Sequence, residues 1–390
     1  MFTKKRKLLS LAIGLTMLAG VVAGCGGGSG ADSKEIKIGG DFELTGGVAS
    51  YGQSAVNGAK LAFKQVNASG GVLGKQINFV VADNKSEPSE SANAVTKLIT
   101  QDKVSVILGA VASSNTLAAV QVATDNKIPF LTPTSTNPKV TVDDSGKVKD
   151  YIFRSCFIDP FQGTVMANFA GKTLKAKTAV IYIDNSSDYS KGLAQFFEEN
   201  FVKNGGSIVA KEAYLQKDQD FKATLTKIKA ANADVIYVPG YYEEVGKIVK
   251  QARELGITSP ILGGDGWDSP KLVEIAGKDV LNNTFFSNHY SPEDKDPAVV
   301  KFVEDYKKEY NQNPDALAAL GFDAAMTVVD AIKRANSAEP AKIKDALAAT
   351  KDLKLVTGLI TLDASHNPIK SAVIIEMKDG KQTFKEKINP

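Results

Sequence analysis

Val104-Ser105-Val106-Ile107-Leu108-Gly109-Ala110-Val111-Ala112-Ser113-Ser114-Asn115-Thr116 is the stretch that decides the fold. Branched apolar residues run up to Gly109, a small and hydroxyl-rich turn follows, and a helical pattern extends from Ser114 to Asp125. A strand that is apolar on both faces is buried on both, and crossover helices bury it. The same unit recurs on either side. Upstream, Ile36 to Gly40 and Ile77 to Ala82 read as strands. Tyr51 to Ala68 and Pro88 to Gln101 read as helices, the second opening on its proline. Downstream, Ile128 to Leu131 is the next strand and closes a first series.

A second series follows. Helical patterns at Gln162 to Leu174, Lys191 to Lys203, Phe221 to Ala230 and Glu243 to Leu255 alternate with strands. Those strands are Thr178 to Ile183, Ser207 to Glu212, Asp234 to Val238 and Pro260 to Gly263. Gly205-Gly206 and Gly256 end two of the helices. From Phe285 a strand precedes three helical segments, near 297–310, 315–335 and 340–349. The tail alternates as strands at 357–363, 371–377 and 382–387 around turns such as Asp379-Gly380. Two βα series predict an α/β fold of two doubly wound parallel-sheet lobes joined by a hinge. Such sheets bind ligands beyond the carboxyl ends of their strands, so two facing lobes make a cleft. The pattern alone does not divide the last segments between the lobes.

The chain has 390 residues, more than one hydrophobic core usually serves. Its start is of a different kind. Lys4, Lys5, Arg6 and Lys7 precede an apolar run from Leu8 to Val22, and Val22-Ala23-Gly24-Cys25 brings small residues up to a cysteine. A membrane-spanning helix needs about 20 apolar residues, and a plain secretory signal gives no reason for the cysteine. The pattern resembles the bacterial lipobox, which implies a signal peptide over 1–24 and lipid on Cys25. Residues 25–34, rich in Gly and Ser, then read as a flexible tether. The protein is expected in the cell envelope, extracytoplasmic and held to the membrane by that lipid.

The intact chain is +3, but residues 25–390 carry 43 basic and 44 acidic side chains. The basic balance therefore belongs to the signal, and nucleic acid is not an expected partner. Cys156 is the only thiol left after Cys25, so no intramolecular disulfide is expected. Beside Phe153 and Phe157 it reads as a buried small hydrophobe.

Candidate binding residues follow the strand ends. Ser113 or Ser114 can cap the helix behind the first turn, and taken alone that is the simpler reading. Yet a hydroxyl-lined helix N-terminus also receives anions. One βα unit later, Thr132-Pro133-Thr134-Ser135-Thr136-Asn137-Pro138 places further hydroxyls after the neighbouring strand. Together the two turns can donate to a carboxylate from both sides. In the second series Asp265 sits in Gly263-Gly264-Asp265-Gly266-Trp267. It is either a turn former or the partner of a ligand ammonium. Tyr189, Tyr241 and Trp267 supply aromatic surface.

Several stretches resemble the periplasmic-binding-protein family that carries leucine, isoleucine and valine to ABC importers. They are Thr45 to Gly52, Asn67 to Val72, the Ser113 turn, Thr132 to Pro138, Asp188 to Gly192, and Gly240 to Glu244. The resemblance covers nearly all of the chain after the tether and implies the type I, Venus-flytrap architecture. It implies that Ser113 and Thr136 hold an amino acid's carboxylate. It also implies that the Thr134 carbonyl, the Thr136 hydroxyl and Asp265 meet the ammonium. Tyr51, Tyr189 and Tyr241 fall at the family's cleft tyrosines. Asp265 stands where transport proteins often carry glutamate, one methylene longer, so ligand or lobe shifts, or a water bridges. Ala112 stands where the family has a disulfide cysteine. With the resemblance, one lobe is expected over 35–155 plus 288–356 and the other over 156–287 plus 357–390. Permease subunits are the implied partners of a monomeric receptor.

Other chemistries do not assemble. His289 and His366 lack metal-ligand spacing, and neither a Gly-x-Ser-x-Gly elbow nor a phosphate loop occurs. No enzyme activity, metal or cofactor is expected. A sensory module with the same cleft, a binder of another small carboxylate or amide, and an exported α/β hydrolase are the competing readings.

Overall fold

The computed structural model describes residues 34–389; the expected signal segment and Cys25 lie outside them. The first series forms β1 (Glu35–Phe42), α1 (Ala49–Ala68), β2 (Gln76–Asp83), α2 (Pro88–Thr100), β3 (Val106–Gly109), α3 (Ser113–Asp125), β4 (Phe130–Thr132) and β5 (Ile152–Arg154). The second forms α4 (Asp159–Asn168), β6 (Thr178–Asp184), α5 (Asp188–Lys203), β7 (Ser207–Tyr214), α6 (Lys222–Ala231), β8 (Val235–Tyr237) and α7 (Tyr242–Glu254). It ends with β9 (Ile261–Gly263), α8 (Pro270–Ala276) and β10 (Thr284–Asn288). Then come α9 (Pro297–Tyr310), α10 (Ala316–Ala335), α11 (Pro340–Ala348), β11 (Leu353–Leu355), β12 (Gly358–Ile360), β13 (Ala372–Lys378) and β14 (Lys381–Ile388).

These elements make two lobes. One sheet runs β2-β1-β3-β4-β5, parallel throughout. The other runs β14-β13-β10-β9-β8-β6-β7, parallel from β10 to β7 and antiparallel where β13 and β14 return. Successive side chains of a strand face opposite sides. Val106 and Leu108 accordingly join the core that includes α1 and α10, and Ile107 joins the core under α2 and α3. Each such side chain contributes about 1.5–3 kcal/mol of burial. α10 docks closely on α1 because glycines meet backbone there. A Cβ on Gly58 would lie 1.9 Å from the Ala318 carbonyl, and one on Gly321 would lie 2.1 Å from that of Ala55.

The chain passes between the lobes at 155–158, 289–296 and 361–371. Several sequence expectations are refined. The strand expected over 357–363 is shorter, β12, and pairs with β11 in a hairpin; the expected lobe break at 356 falls in its turn. β11 lies against α10. The helix expected from Gln162 starts at Asp159 and passes into a π turn at Phe169–Thr173. β5 and α8 were not anticipated; both are very short, at three and seven residues, and carry little periodicity. No helix among the described residues is long and apolar enough to cross a membrane.

Candidate functional site

β3 delivers the chain into the turn before α3, and that turn is held from below by a buried acid. Glu43, just after β1, accepts from the Val111 and Ala112 N–H groups at 3.0 Å each and from Asn115 Nδ2 at 3.0 Å. Burial raises the pKa of Glu43, and these donors oppose the shift. With the backbone so engaged, no serine caps α3 through its side chain; the N-cap residue is Ala112. This corrects the capping expectation. Ser114 Oγ instead donates to Asp188 Oδ2 of the other lobe at 3.0 Å. Ser113 Oγ accepts from the Asn137 N–H at 3.4 Å.

The turn after β4 is tied to the same backbone. The hydroxyls of Thr132, Thr134 and Ser135 donate to the carbonyls of Ala110 or Val111 at 2.7, 3.0 and 2.9 Å. Two hydroxyls keep capacity for something else. Ser113 has only its one long contact, and Thr136 Oγ1, fully buried, has no hydrogen-bond partner among the described residues.

The opposite wall is built around Asp265. Its Oδ1 accepts from Tyr189 Oη at 2.8 Å and Gln162 Nε2 at 3.1 Å, and its Oδ2 lies 2.8 Å from His289 Nε2. Gln162 Oε1 in turn accepts from the Asp265 N–H at 2.7 Å and the Ser287 hydroxyl at 2.6 Å. His289 stacks on Phe157 with ring centroids 3.6 Å apart. Burial holds His289 below the usual histidine pKa, with Asp265 pulling the other way. A neutral imidazole leaves Asp265 with hydrogen bonds but no positive charge. No lysine or arginine among the described residues pairs with it. A buried carboxylate so placed can receive a cation.

Tyr51, Ser113, Thr134, Tyr189, Tyr241 and Asp265 line one cavity, with Val111 and Leu317 as apolar neighbours. Tyr189 and Tyr241 stack at 5.0 Å, and Tyr51 meets Tyr241 edge-on at 5.7 Å. Burial pushes all three phenols well above their usual pKa, so each stays protonated. Tyr51 Oη contacts the Gly266 carbonyl and accepts from the Tyr242 N–H at 3.2 Å, closing one lobe on the other. The lobes are drawn together so far that the cavity is about 20 Å³, near the room of a single water. Tyr241 also borders a neighbouring cavity of about 280 Å³, between Gly47, Ser114 and Lys217.

Two candidates are not among the residues that line the smaller cavity. Thr136 is fully buried, with its hydroxyl unpartnered among the described residues. Trp267 does not supply cleft surface: it is fully buried, its indole N–H donates to the Val238 carbonyl at 3.0 Å, and it packs against Phe286. Gly263 makes the space for it, since a Cβ there would sit 2.1 Å from the indole. Sequence reasoning missed Gln162, His289 and Glu43. They hold the candidate groups from three separate parts of the chain, and no spacing announces them. Cys156 is buried, as expected, and burial pushes its thiol up to about 12.

The periplasmic binding protein family model matches residues 35–382. A Leu/Ile/Val-binding protein of Rhizobium johnstonii, BraC3, is 32% identical over 328 residues, spanning 84% of this chain and 87% of that protein. Among solved structures, a leucine-binding protein (LivK) of Thermotoga maritima is 41% identical with a TM-score of 0.86, covering 91% of this chain and 99% of its own. A branched-chain amino acid transporter substrate-binding protein (LivJ) of Streptococcus pneumoniae, in complex with isoleucine, is 42% identical, also with a TM-score of 0.86. That match covers 91% of this chain and all (100%) of the other.

Proposed function

The chain belongs to the periplasmic binding protein family, and from that premise we propose that it is the receptor of an ABC importer for a branched-chain amino acid. It is a solute-binding protein; the cargo and the residues that hold it are the proposal. The carrying observation is Asp265: a buried carboxylate facing hydroxyls of the other lobe, hydrogen-bonded by Gln162 and Tyr189 yet matched by no protein cation. An α-amino acid brings an ammonium for Asp265 and a carboxylate for Ser113 and Thr136. Pairing both charges offsets the cost of removing them from water. The tyrosines, Val111 and Leu317 suit an aliphatic side chain. The names of the relatives support the same cargo.

The receptor works as a monomer and catalyses no reaction. It is exported and tethered by lipid on Cys25, so that it meets permease subunits at the membrane surface.

Calorimetry with leucine, isoleucine and valine beside their deaminated analogues tests the cargo. The amino acids are expected to bind at least a hundredfold more tightly, because the analogue leaves Asp265 buried without its cation. Equal affinity for acid and amino acid would remove Asp265 from the site.

A further inference from the structure

Behind the Thr136 turn lies a second carboxylate with no donor. Asp159 opens α4 and is fully buried, and neither of its oxygens accepts a hydrogen bond from any described residue. Its backbone N–H donates to the Thr136 carbonyl at 3.0 Å, and the Thr136 hydroxyl is near enough to favour the ionised carboxylate. Thr136 Oγ1 is itself buried and without a hydrogen-bond partner among the described residues.

No element packed around Asp159 gives it a hydrogen bond within ordinary reach. Arg154 of β5 donates through its two Nη atoms to the Ser135 and Asn137 carbonyls, at 2.8 Å each, and its Nε has no hydrogen-bond partner among the described residues, so it acts on Asp159 through its charge alone. The Asn137 amide donates to the Asp188 carbonyl at 2.8 Å. Gly192 of α5 has no side chain to offer, and a Cβ there would stand 2.7 Å from Asp159 Oδ2. Tyr237 of β8 and Cys156 both feel the negative charge of Asp159, and burial keeps both protonated. Asp265, in the same lobe and with His289 and Tyr189 as its own neighbours, adds repulsion. Burial is the largest influence on Asp159; the Thr136 hydroxyl opposes it, Asp265 reinforces it and Arg154 opposes it, and the carboxyl titrates at about 8.

We propose that Asp159 is a proton-bearing positioning residue whose carboxylic O–H points at Thr136 Oγ1, so that the threonine's own hydrogen is directed into the cleft. A hydroxyl that accepts from behind donates in front. With Asp159 protonated, Thr136 is a donor matched to a ligand carboxylate. With Asp159 ionised, the threonine hydrogen turns back toward it. The cleft then loses a donor and gains a buried negative charge beside that of the ligand. A bound carboxylate therefore strengthens the hold of Asp159 on its proton, and binding above pH 8 takes one proton from the buffer. The inference rests on the amino-acid reading of the cleft.

The test is calorimetry with leucine at pH 7, 8 and 9, in two buffers of different protonation enthalpy. Wild type is expected to take up a proton as pH rises and to lose about tenfold in affinity between pH 7 and 9. That loss is counted beyond the titration of leucine itself, which Asp159→Asn records. In Asp159→Asn the amide N–H replaces the acid proton permanently, so affinity at pH 7 is recovered relative to Asp159→Leu and no extra proton is taken up. In a Thr136→Val background, changing Asp159 to Asn is expected to make no difference. Absence of proton uptake by wild type, or Asn behaving like Leu, overturns the proposal. A ligand-free readout separates it from the cargo reading. In the infrared difference between wild type and Asp159→Asn at pH 7, which cancels the bands of other buried carboxyls such as Asp41 and Asp315, the C=O stretch of one protonated carboxyl should belong to wild type. Its absence overturns the proposal. Its presence without leucine binding removes the cargo reading instead.

Discussion

Glu43 and Asp159 are both buried carboxyls with no ion-pair partner among the described residues, and the chain treats them differently. Glu43 has backbone and amide donors on both oxygens, while Asp159 has none from the described residues. The difference has a consequence for stability that needs no ligand. An unfolded aspartate releases its proton near 3.9, whereas folded Asp159 holds it to about 8. Between those values the folded state binds more protons than the unfolded one, so this group lowers stability as pH rises from about 4 to 8. Asp159→Asn removes that slope. Its melting temperature is expected to gain on wild type steadily over this range, with the widest gap at pH 8, in fluorimetric melts. A constant offset at every pH would mean that Asp159 does not titrate there. Single residues also mark where sequence reasoning stopped. Asp159 draws no notice in the sequence, because the helical pattern is read only from Gln162 onward and Asp159 falls before it. Trp267 reads as cleft surface because it follows Asp265. Its burial depends on the space at Gly263, a packing fact with no signature in composition.

At the scale of elements, the first turn of α4 joins the two ends of the site. Asp159 faces the Thr136 turn, and Gln162, three residues on and therefore on the same helical face, holds Asp265 by both its side chain and its N–H. Gln162→Ala would leave the Asp265 N–H and the Ser287 hydroxyl without their acceptor. Leucine affinity is expected to fall about tenfold or more, and that of the deaminated analogue by clearly less, since only the amino acid depends on Asp265. Calorimetry of both ligands on the variant checks this; equal losses would mean that Gln162 serves the hinge as a whole. The helix itself was visible as a pattern from Gln162 onward, because buried apolar residues such as Val165 and Met166 recur through it. Its first turn was not, since 155–158 is a hinge crossing whose partners, such as the Thr132 carbonyl, His289 and Lys370, come from distant parts of the chain. The parallel strands were legible for the opposite reason: double-sided burial writes itself as unbroken apolar runs.

Across the whole molecule, closure is carried by few contacts. Ser50 and Ser269 hydroxyls lie 2.8 Å apart, Ser114 meets Asp188, Asn137 reaches the Asp188 carbonyl, and Lys217 pairs with Glu87 at 2.9 Å. The last pair is exposed and contributes little. With only about 20 Å³ in the cavity beside Asp265, an amino acid reaches that carboxylate by opening the lobes. The free protein therefore has to visit an open form, and interactions made only on closing add to ligand affinity without adding to the stability of the open fold. Ser114 separates the two cases. Its hydroxyl donates to Asp188 Oδ2 and accepts from the Asp188 N–H at 3.2 Å, both across the cleft, and it does not cap α3. If the free protein is predominantly open, Ser114→Ala should weaken leucine binding by about three- to tenfold, the worth of one or two ordinary hydrogen bonds. The melting temperature of the ligand-free protein should stay unchanged, while scattering shows wild type contracting when leucine is added. If the melting temperature falls in step with the affinity, the contact already exists without ligand. The resting protein is then closed, and leucine has to wait for it to open.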